Sequence, residues 1–158
     1  ARALGLNVAR RALEQPISGG TDIYLGDSMG EMGLYYRLAT IVFIGGSLIE
    51  HGGQNPLEAA RLGSALLFGP SMFNFTEQAA AMTQAGGAET VSDGDALATQ
   101  VALLLADGEE IARRAAAADL AANDGQDVIR AVMGQLGPLL PKQTPKTKSG
   151  RGSDLANA

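Results

Sequence analysis

The sequence contains no cysteine and only one histidine, His51. The absence of cysteine excludes a disulfide framework, a zinc site built on thiolates and a cysteine nucleophile. A single histidine does not make a metal site in a chain that has no second histidine or cysteine to help it. We therefore expect no metal site in this chain.

Aromatic residues and positive charge are also scarce. The chain has four phenylalanines, three tyrosines and a formal net charge of −5, from 12 basic and 17 acidic residues. Nucleic-acid binders need a basic surface, and proteins that bind single strands need aromatic side chains on which bases stack. These two shortages argue against nucleic acid as a partner.

No apolar run approaches the ~20 residues that a membrane-spanning helix requires. The first residues are too charged for a signal peptide, and we expect the chain itself to be soluble. Residues 141–158 hold all three lysines, Arg151 and a single acidic residue, Asp154. This segment has no hydrophobic periodicity, which predicts a flexible basic tail after a folded domain over residues 1–140.

Short apolar runs alternate with segments of helical spacing along the folded part. The pattern predicts strands at 21–25, 41–44, 65–68 and 89–91, and helices at 31–38, 56–62, 75–84, 95–105, 109–123 and 126–136. Residues 1–8 are predicted to be the end of a helix. This alternation is typical of an α/β fold with a Rossmann-like parallel sheet and helices on both faces. Such sheets bind ligands beyond the carboxyl ends of their strands.

The loop after the strand at 41–44, residues 45–55 (the glycine loop), is the most informative segment. Its glycines allow the backbone to approach a ligand closely, and Asn55, Pro56 and Glu58 are typical of a helix start that can bind an anion. Glu58 either completes a capping box with Asn55 or accepts hydrogen bonds from sugar hydroxyls. His51 is either a phosphate-binding group or an exposed loop residue.

Two further loops follow predicted strands. In residues 26–33, Asp27 or Ser28 can cap the next helix, with Glu31 in its first turn, or the loop can form a second wall of the same cleft. In residues 69–75 (the phenylalanine loop), Phe73 and Phe75 are expected to pack on their own domain rather than on a ligand.

Together, residues 26–77 resemble the 3-deoxy-D-manno-octulosonic acid (Kdo) transferases, which act in lipopolysaccharide assembly in Gram-negative bacteria. Four segments carry the resemblance, in the order and at the spacing of the family. They are GDSMGEM (26–32), FIGGSL (43–48), GGQNPLE (52–58) and GPSMFNF (69–75). Gln54 departs from the family, in which a histidine is usual.

The resemblance implies an inverting glycosyltransferase of the GT-B architecture, with this chain as part of its C-terminal, donor-binding half. The implied donor substrate is CMP-Kdo, with no cofactor. The implied acceptor is a lipid A precursor, bound by an N-terminal half at the cytoplasmic face of the inner membrane. Because the catalytic base belongs to that half, no catalytic residue is expected here. The resemblance also implies that the chain begins after the family's Pro-Arg motif and that membrane association depends on other parts of the protein.

Carried over by position, the resemblance implies that Met29, Gly30, Glu31 and Met32 form one nucleotide-contacting segment. It implies a second segment of Asn55, Pro56, Leu57 and Glu58, with Glu58 near the ribose. The predicted donor site also includes Gly46, Ser47, His51, Gly52, Gly53 and Asn74.

Two other functions remain open from the residues alone. One is a non-catalytic Rossmann-type domain that holds a nucleotide, and the other is an interaction module without a small ligand. Binding of CMP separates the three: a donor-binding half predicts weak, cytidine-selective binding, a nucleotide sensor predicts tight binding, and an interaction module predicts none.

Overall fold

Five short strands and five α-helices make up the part of the chain that the structure describes, residues 2–124 and residue 135 of a computed structural model. Residues 2–124 belong to one unit, and Gln126–Ala158 form a second, in which residue 135 alone is described. The predicted tail over 141–158, the domain boundary at residue 140 and all but one residue of the predicted helix over 126–136 lie outside the described residues.

The elements alternate along the chain as the sequence predicts. The strands are β1 (Val8–Arg10), β2 (Ile23–Leu25), β3 (Ile41–Ile44), β4 (Ala65–Phe68) and β5 (Ala88–Thr90). The helices are α1 (Met32–Leu38), α2 (Leu57–Arg61), α3 (Thr76–Gln84), α4 (Gly94–Leu105) and α5 (Gly108–Asn123). All strand pairs of the described residues are parallel, which confirms the predicted α/β class.

The strands form two sheets, whereas the sequence pattern predicts one. Strand β1 pairs with β2, and β3, β4 and β5 form a three-stranded sheet with β4 in the centre. In the larger sheet, Ile44 lies opposite Phe68. The glycine loop and the phenylalanine loop therefore leave the sheet side by side, at the carboxyl ends of two neighbouring strands.

The prediction that residues 1–8 end a helix is wrong. A short 3-10 helix covers Arg2–Leu4, and the chain then enters β1. The Asn7 carbonyl accepts hydrogen bonds from the N–H groups of Asp22 and Ile23, and the Asp22 carboxylate accepts one from the Asn7 N–H. Pairing with a strand farther along the chain thus overrides the local helical spacing.

The core lies on both faces of the three-stranded sheet, which confirms helices on both faces. On one face, Leu66 and Phe68 pack against α2, α3 and α5, where small side chains such as Ala60 and Ala118 allow close contact. On the other face, Leu67 packs with Leu104 of α4. Residues of β4 alternate between the two faces, as expected for a strand that is buried on both sides.

Among residues 2–124, no helix combines the length and the apolar character that crossing a bilayer requires.

Candidate functional site

The glycine loop folds back on itself. Gly46, Gly52 and Gly53 adopt positive φ angles of 73°, 88° and 71°, which side chains other than glycine rarely tolerate. The Gly53 N–H donates to the Gly46 carbonyl at 3.3 Å, and this bond closes the loop. A Cβ atom at Gly46 would lie 2.8 Å from Cδ2 of His51. The exposed His51 ring therefore lies against Gly46.

Ser47 joins the glycine loop to the phenylalanine loop. Its side chain is fully buried, and its Oγ donates to the Ile44 carbonyl at 2.5 Å and accepts from the Gly69 N–H at 2.7 Å. Its carbonyl accepts from the Ser71 N–H at 2.9 Å. The protein thus encloses the Ser47 hydroxyl. We assign that hydroxyl a structural role between the loops, which the sequence motif does not indicate.

The phenylalanine loop also holds the far end of the glycine loop. The Gly52 N–H donates to Ser71 Oγ at 3.3 Å. Asn74 donates twice, from Nδ2 to the His51 carbonyl at 3.2 Å and from its backbone N–H to the Gly52 carbonyl at 3.3 Å. The N–H groups of Gly52 and Gly53 are thus bonded inside the protein.

At the start of α2, the N–H groups of Glu58 and Ala59 have no acceptor among residues 2–124. The Asn55 side chain accepts from the Leu57 N–H at 3.0 Å, as expected for a capping residue. The helix begins at Leu57, one residue later than predicted, and Pro56 precedes it. The other N–H groups of the first turn have no acceptor within the helix.

Glu58 does not complete a capping box among the described residues. No hydrogen bond joins its carboxylate to the Asn55 N–H within residues 2–124, and the side chain is exposed. A Cβ atom at Gly33 would lie 3.4 Å from Glu58 Oε1, so the carboxylate lies beside the start of α1. Burial, together with the negative charge of Glu58, raises the pKa of Tyr36. Of the two interpretations of Glu58, the capping box is therefore not supported. The carboxylate remains available to a ligand.

In the loop at 26–33, both carboxylates are bound by arginines. Arg10 donates to Asp27 Oδ2 from Nε at 2.8 Å and from Nη2 at 2.5 Å, while Asp27 Oδ1 accepts from the Ala12 N–H at 2.8 Å. Arg11 binds Glu31 through Nε at 2.9 Å and Nη2 at 2.6 Å. The Ala12 N–H and Arg10 lower the pKa of Asp27.

Neither Asp27 nor Ser28 caps α1, so the first of the two interpretations of this loop is wrong. The Ser28 hydroxyl instead donates to Glu31, and the residue that precedes α1 is Glu31, whose side chain makes no cap bond. Hydrogen bonds from Arg11 and Ser28 lower the pKa of Glu31 from 4.5 to about 2. Ionised Glu31 is thus held at the end of this loop.

Arg10 and Arg11 are absent from the predicted site. Arg10 is the last residue of β1 and Arg11 follows it, and the parallel pairing of β1 with β2 places both beside the loop at 26–33. Two adjacent arginines in a chain of negative net charge are the sequence feature that could have drawn attention to them. Recognising their role also requires β1, which the local pattern does not predict.

The tip of the same loop projects from the protein. Met29 is 97% exposed and Met32 is 56% exposed, while Gly30 has a φ angle of 84°. Exposed thioether side chains adapt to many ligand shapes. These predicted residues are therefore free to contact a ligand.

The predicted residues fall into two groups, each held together by its own contacts. In the first group, Gly33 and Glu58 join the loop at 26–33 to α2. In the second group, the bonds of Ser47 and Asn74 join the glycine loop to the phenylalanine loop. Because α2 directly follows the glycine loop, the two groups are neighbours along the chain. The candidate site is the surface that these loops share.

A cavity of about 680 Å³ lies beside the phenylalanine loop. Phe68, Met72 and Phe73 line it together with Ala79 and Ala80 of α3. None of the predicted site residues lines this cavity. The cavity nevertheless adjoins the candidate site, and the two share the phenylalanine loop.

Curated relatives of this chain are 3-deoxy-D-manno-octulosonic acid transferases. The protein of Haemophilus influenzae is 40% identical over 97 residues, which are 61% of this chain and 23% of that protein. The protein of Bordetella pertussis is 38% identical over 121 residues, which are 76% of this chain and 28% of that protein. The chain thus spans about a quarter of the length of these relatives. No family model matches the chain.

A solved structure with the same fold is the C-terminal CMP-Kdo binding domain of WaaA from Acinetobacter baumannii. Its sequence is 33% identical to this chain and the TM-score is 0.72. The match covers 76% of this chain and 63% of that domain. Sequence and fold therefore agree that the chain belongs to the Kdo transferase family and corresponds to part of its C-terminal domain.

Proposed function

We propose that this chain is part of the donor-binding half of a glycosyltransferase that moves Kdo from CMP-Kdo to a lipid A precursor in lipopolysaccharide biosynthesis. The observation that carries the proposal is the joint similarity in sequence and fold to a solved domain described as binding CMP-Kdo. Because the chain spans about a quarter of its curated relatives, the transfer reaction is proposed for the whole protein.

The start of α2 is the proposed place for the donor phosphate. The N–H groups at the start of this five-residue helix can donate hydrogen bonds to an anion. The exposed His51 ring lies in the preceding loop and would donate a further hydrogen bond. The Glu58 carboxylate, free of a capping bond, would accept hydrogen bonds from the ribose hydroxyls.

The exposed loop around Met29 would contact the donor next to Glu58. Gly33 follows this loop and lies beside the Glu58 carboxylate, so the two elements are close enough to share one ligand. Glu31 would act through its bond to Arg11, which attaches the loop to the segment after β1, and through its bond from Ser28, which lies within the loop. The proposal therefore gives Glu31 a role in holding the loop.

In the whole protein, the proposed reaction needs a general base that activates a sugar hydroxyl of the acceptor. We place that base in the N-terminal half, together with the acceptor site and the attachment to the cytoplasmic face of the inner membrane. This chain would stabilise the negative charge of the departing CMP. The proposal includes no cofactor and no metal ion.

Calorimetric titration of the chain with CMP, UMP and AMP tests this proposal. We expect weak binding that favours CMP, because only part of the donor-binding domain is matched by this chain. Preference for AMP would favour a nucleotide-binding module of another kind, and no binding to any of the three would favour an interaction module. The similarity to transferases gives neither alternative support.

A further inference from the structure

We propose that Asn74 is a positioning residue of the donor site, which fixes the peptide between His51 and Gly52 and so keeps the glycine loop in its binding shape. The inference rests on the proposed function, and it assigns Asn74 a role that acts through the loop. From the sequence alone, in contrast, Asn74 is predicted to be among the residues that bind the donor.

The bonds around this peptide come from the neighbouring loop. Asn74 donates from Nδ2 to the His51 carbonyl at 3.2 Å and from its backbone to the Gly52 carbonyl at 3.3 Å. Ser71 Oγ accepts from the Gly52 N–H at 3.3 Å. Both polar groups of Gly52 are thus bound by the phenylalanine loop. A Cβ atom at Gly52 would overlap the Asn74 side chain, so the contact is also close.

The glycine loop needs such support because of its backbone. Gly52 and Gly53 adopt φ angles of 88° and 71°, and glycine loses more conformational freedom on ordering than any other residue. The phenylalanine loop supplies a firm base, since Ser47 attaches it to the end of β3. Asn74 therefore connects the well-ordered end of the sheet to the segment that precedes α2 and restricts the motion of that segment.

This order matters for binding because a loop that is already fixed loses less entropy when a ligand arrives. His51 and Asn55 lie on either side of the glycine pair, so the backbone at Gly52 sets where the imidazole ring stands relative to the start of α2. Loss of one bond to the His51 carbonyl should therefore weaken the donor complex while the core stays intact.

The test compares Asn74→Ala, Ser71→Ala and the control Thr99→Ala in the full 158-residue chain. Thr99 also donates a side-chain hydrogen bond to a carbonyl, at 2.9 Å, but on α4. For each chain we would measure melting temperature, amide exchange at Gly52 and Gly53, and affinity for CMP. Ser71→Ala removes a bond to Gly52 and leaves the Asn74 side chain in place.

In Asn74→Ala and Ser71→Ala, we expect the Gly52 amide hydrogen to exchange with solvent at least about tenfold faster, because the loop opens locally. Affinity for CMP should fall about three- to tenfold, the range of one neutral hydrogen bond. The melting temperatures of these two variants should change little. Thr99→Ala should change neither the exchange rate at Gly52 nor the affinity for CMP.

Three results would overturn the inference. Unchanged exchange at Gly52 in Asn74→Ala would show that Asn74 does not hold the peptide. Faster exchange with unchanged CMP affinity would show that the held shape does not serve binding. Loss of affinity in Asn74→Ala alone, with normal exchange, would indicate direct contact with the donor. If the unaltered chain binds no CMP, the proposed function fails, whereas the exchange data still decide whether Asn74 fixes the loop.

Discussion

Gly69 lies so close to Ser47 that one added carbon atom would overlap the Ser47 carbonyl group. The neighbour is backbone rather than a flexible side chain, so it cannot rotate away. The same pair shares the hydrogen bond from the Gly69 N–H to Ser47 Oγ at 2.7 Å. The contact therefore fixes the distance between the glycine loop and the phenylalanine loop.

We expect Gly69→Ala to destabilise the fold by about 1–3 kcal/mol, the usual cost of overpacking a tight site. Urea denaturation followed by circular dichroism measures the change. Gly45→Ala is the matched control, because a Cβ atom at Gly45 meets nothing within 4 Å. Equal stability of the two variants would contradict the close contact.

Ser47→Ala should cost about 1–3 kcal/mol, because the Gly69 N–H loses its acceptor in a buried place. Ser92→Ala provides the comparison, since the Ser92 hydroxyl makes an exposed bond to Asp93 at 2.8 Å. Denaturant midpoints give both values. A loss at Ser47 no larger than that at Ser92 would mean that the buried bonds contribute nothing.

The ion pair of Glu31 with Arg11 predicts a loss of stability in acid. The folded chain holds the pKa of Glu31 at about 2, below the ordinary value of 4.5, so the unfolded chain takes up the proton first as the pH falls. The contribution of the pair should be complete above about pH 4.5 and should disappear as the pH falls to about 2.

Glu31→Gln should therefore lose less stability than the unaltered chain between these two pH values. Thermal melting across the range measures the difference. Glu77→Gln serves as the control, because Glu77 makes no ion pair within residues 2–124. If the melting temperatures of the unaltered chain and of Glu31→Gln fell equally as the pH is lowered, the ion pair would not contribute to stability.

Glu58→Ala should weaken CMP binding and leave folding almost unchanged. A hydrogen bond to a charged group contributes about 1.5–3 kcal/mol, which corresponds to roughly 10- to 150-fold in affinity. No capping bond is lost, because Glu58 makes none among the described residues. Titration calorimetry gives the affinity, and Glu50→Ala changes the same charge in the glycine loop. Normal CMP affinity in a destabilised Glu58→Ala would restore the capping interpretation.

Removal of metal ions should not change CMP binding. Within residues 2–124, no group of three or more acidic or histidine side chains is placed to hold a metal ion. Titration before and after dialysis against EDTA measures the effect. A loss of binding that added Mg²⁺ restores would contradict the metal-free proposal.

The sequence predicts β3 and β4 to the residue because each is a four-residue apolar run with a glycine close behind it. Strand β1 escapes prediction because its three residues, which end in Arg10, become a strand only through pairing with β2. The same pairing determines that Arg10 binds Asp27, so local capping rules give the wrong partner. Tertiary context decides both cases.

The resemblance names the loops of the candidate site, yet it does not indicate how they hold one another. The bonds from Gly69 to Ser47 and from Asn74 to His51 depend on the register that places Ile44 opposite Phe68. Spacing within one segment carries no information about that register. The inner connections of the site thus appear only in three dimensions.

The shared bonds of Ser47, Gly69 and Asn74 also affect any attempt to change the specificity of the proposed donor site by protein engineering. Replacing the glycine loop alone with that of a related protein would leave the phenylalanine loop with bonding partners of the wrong shape. Residues 45–55 and 69–75 therefore need to be transplanted as one matched unit, and substitutions accepted in one segment will depend on the residues present in the other.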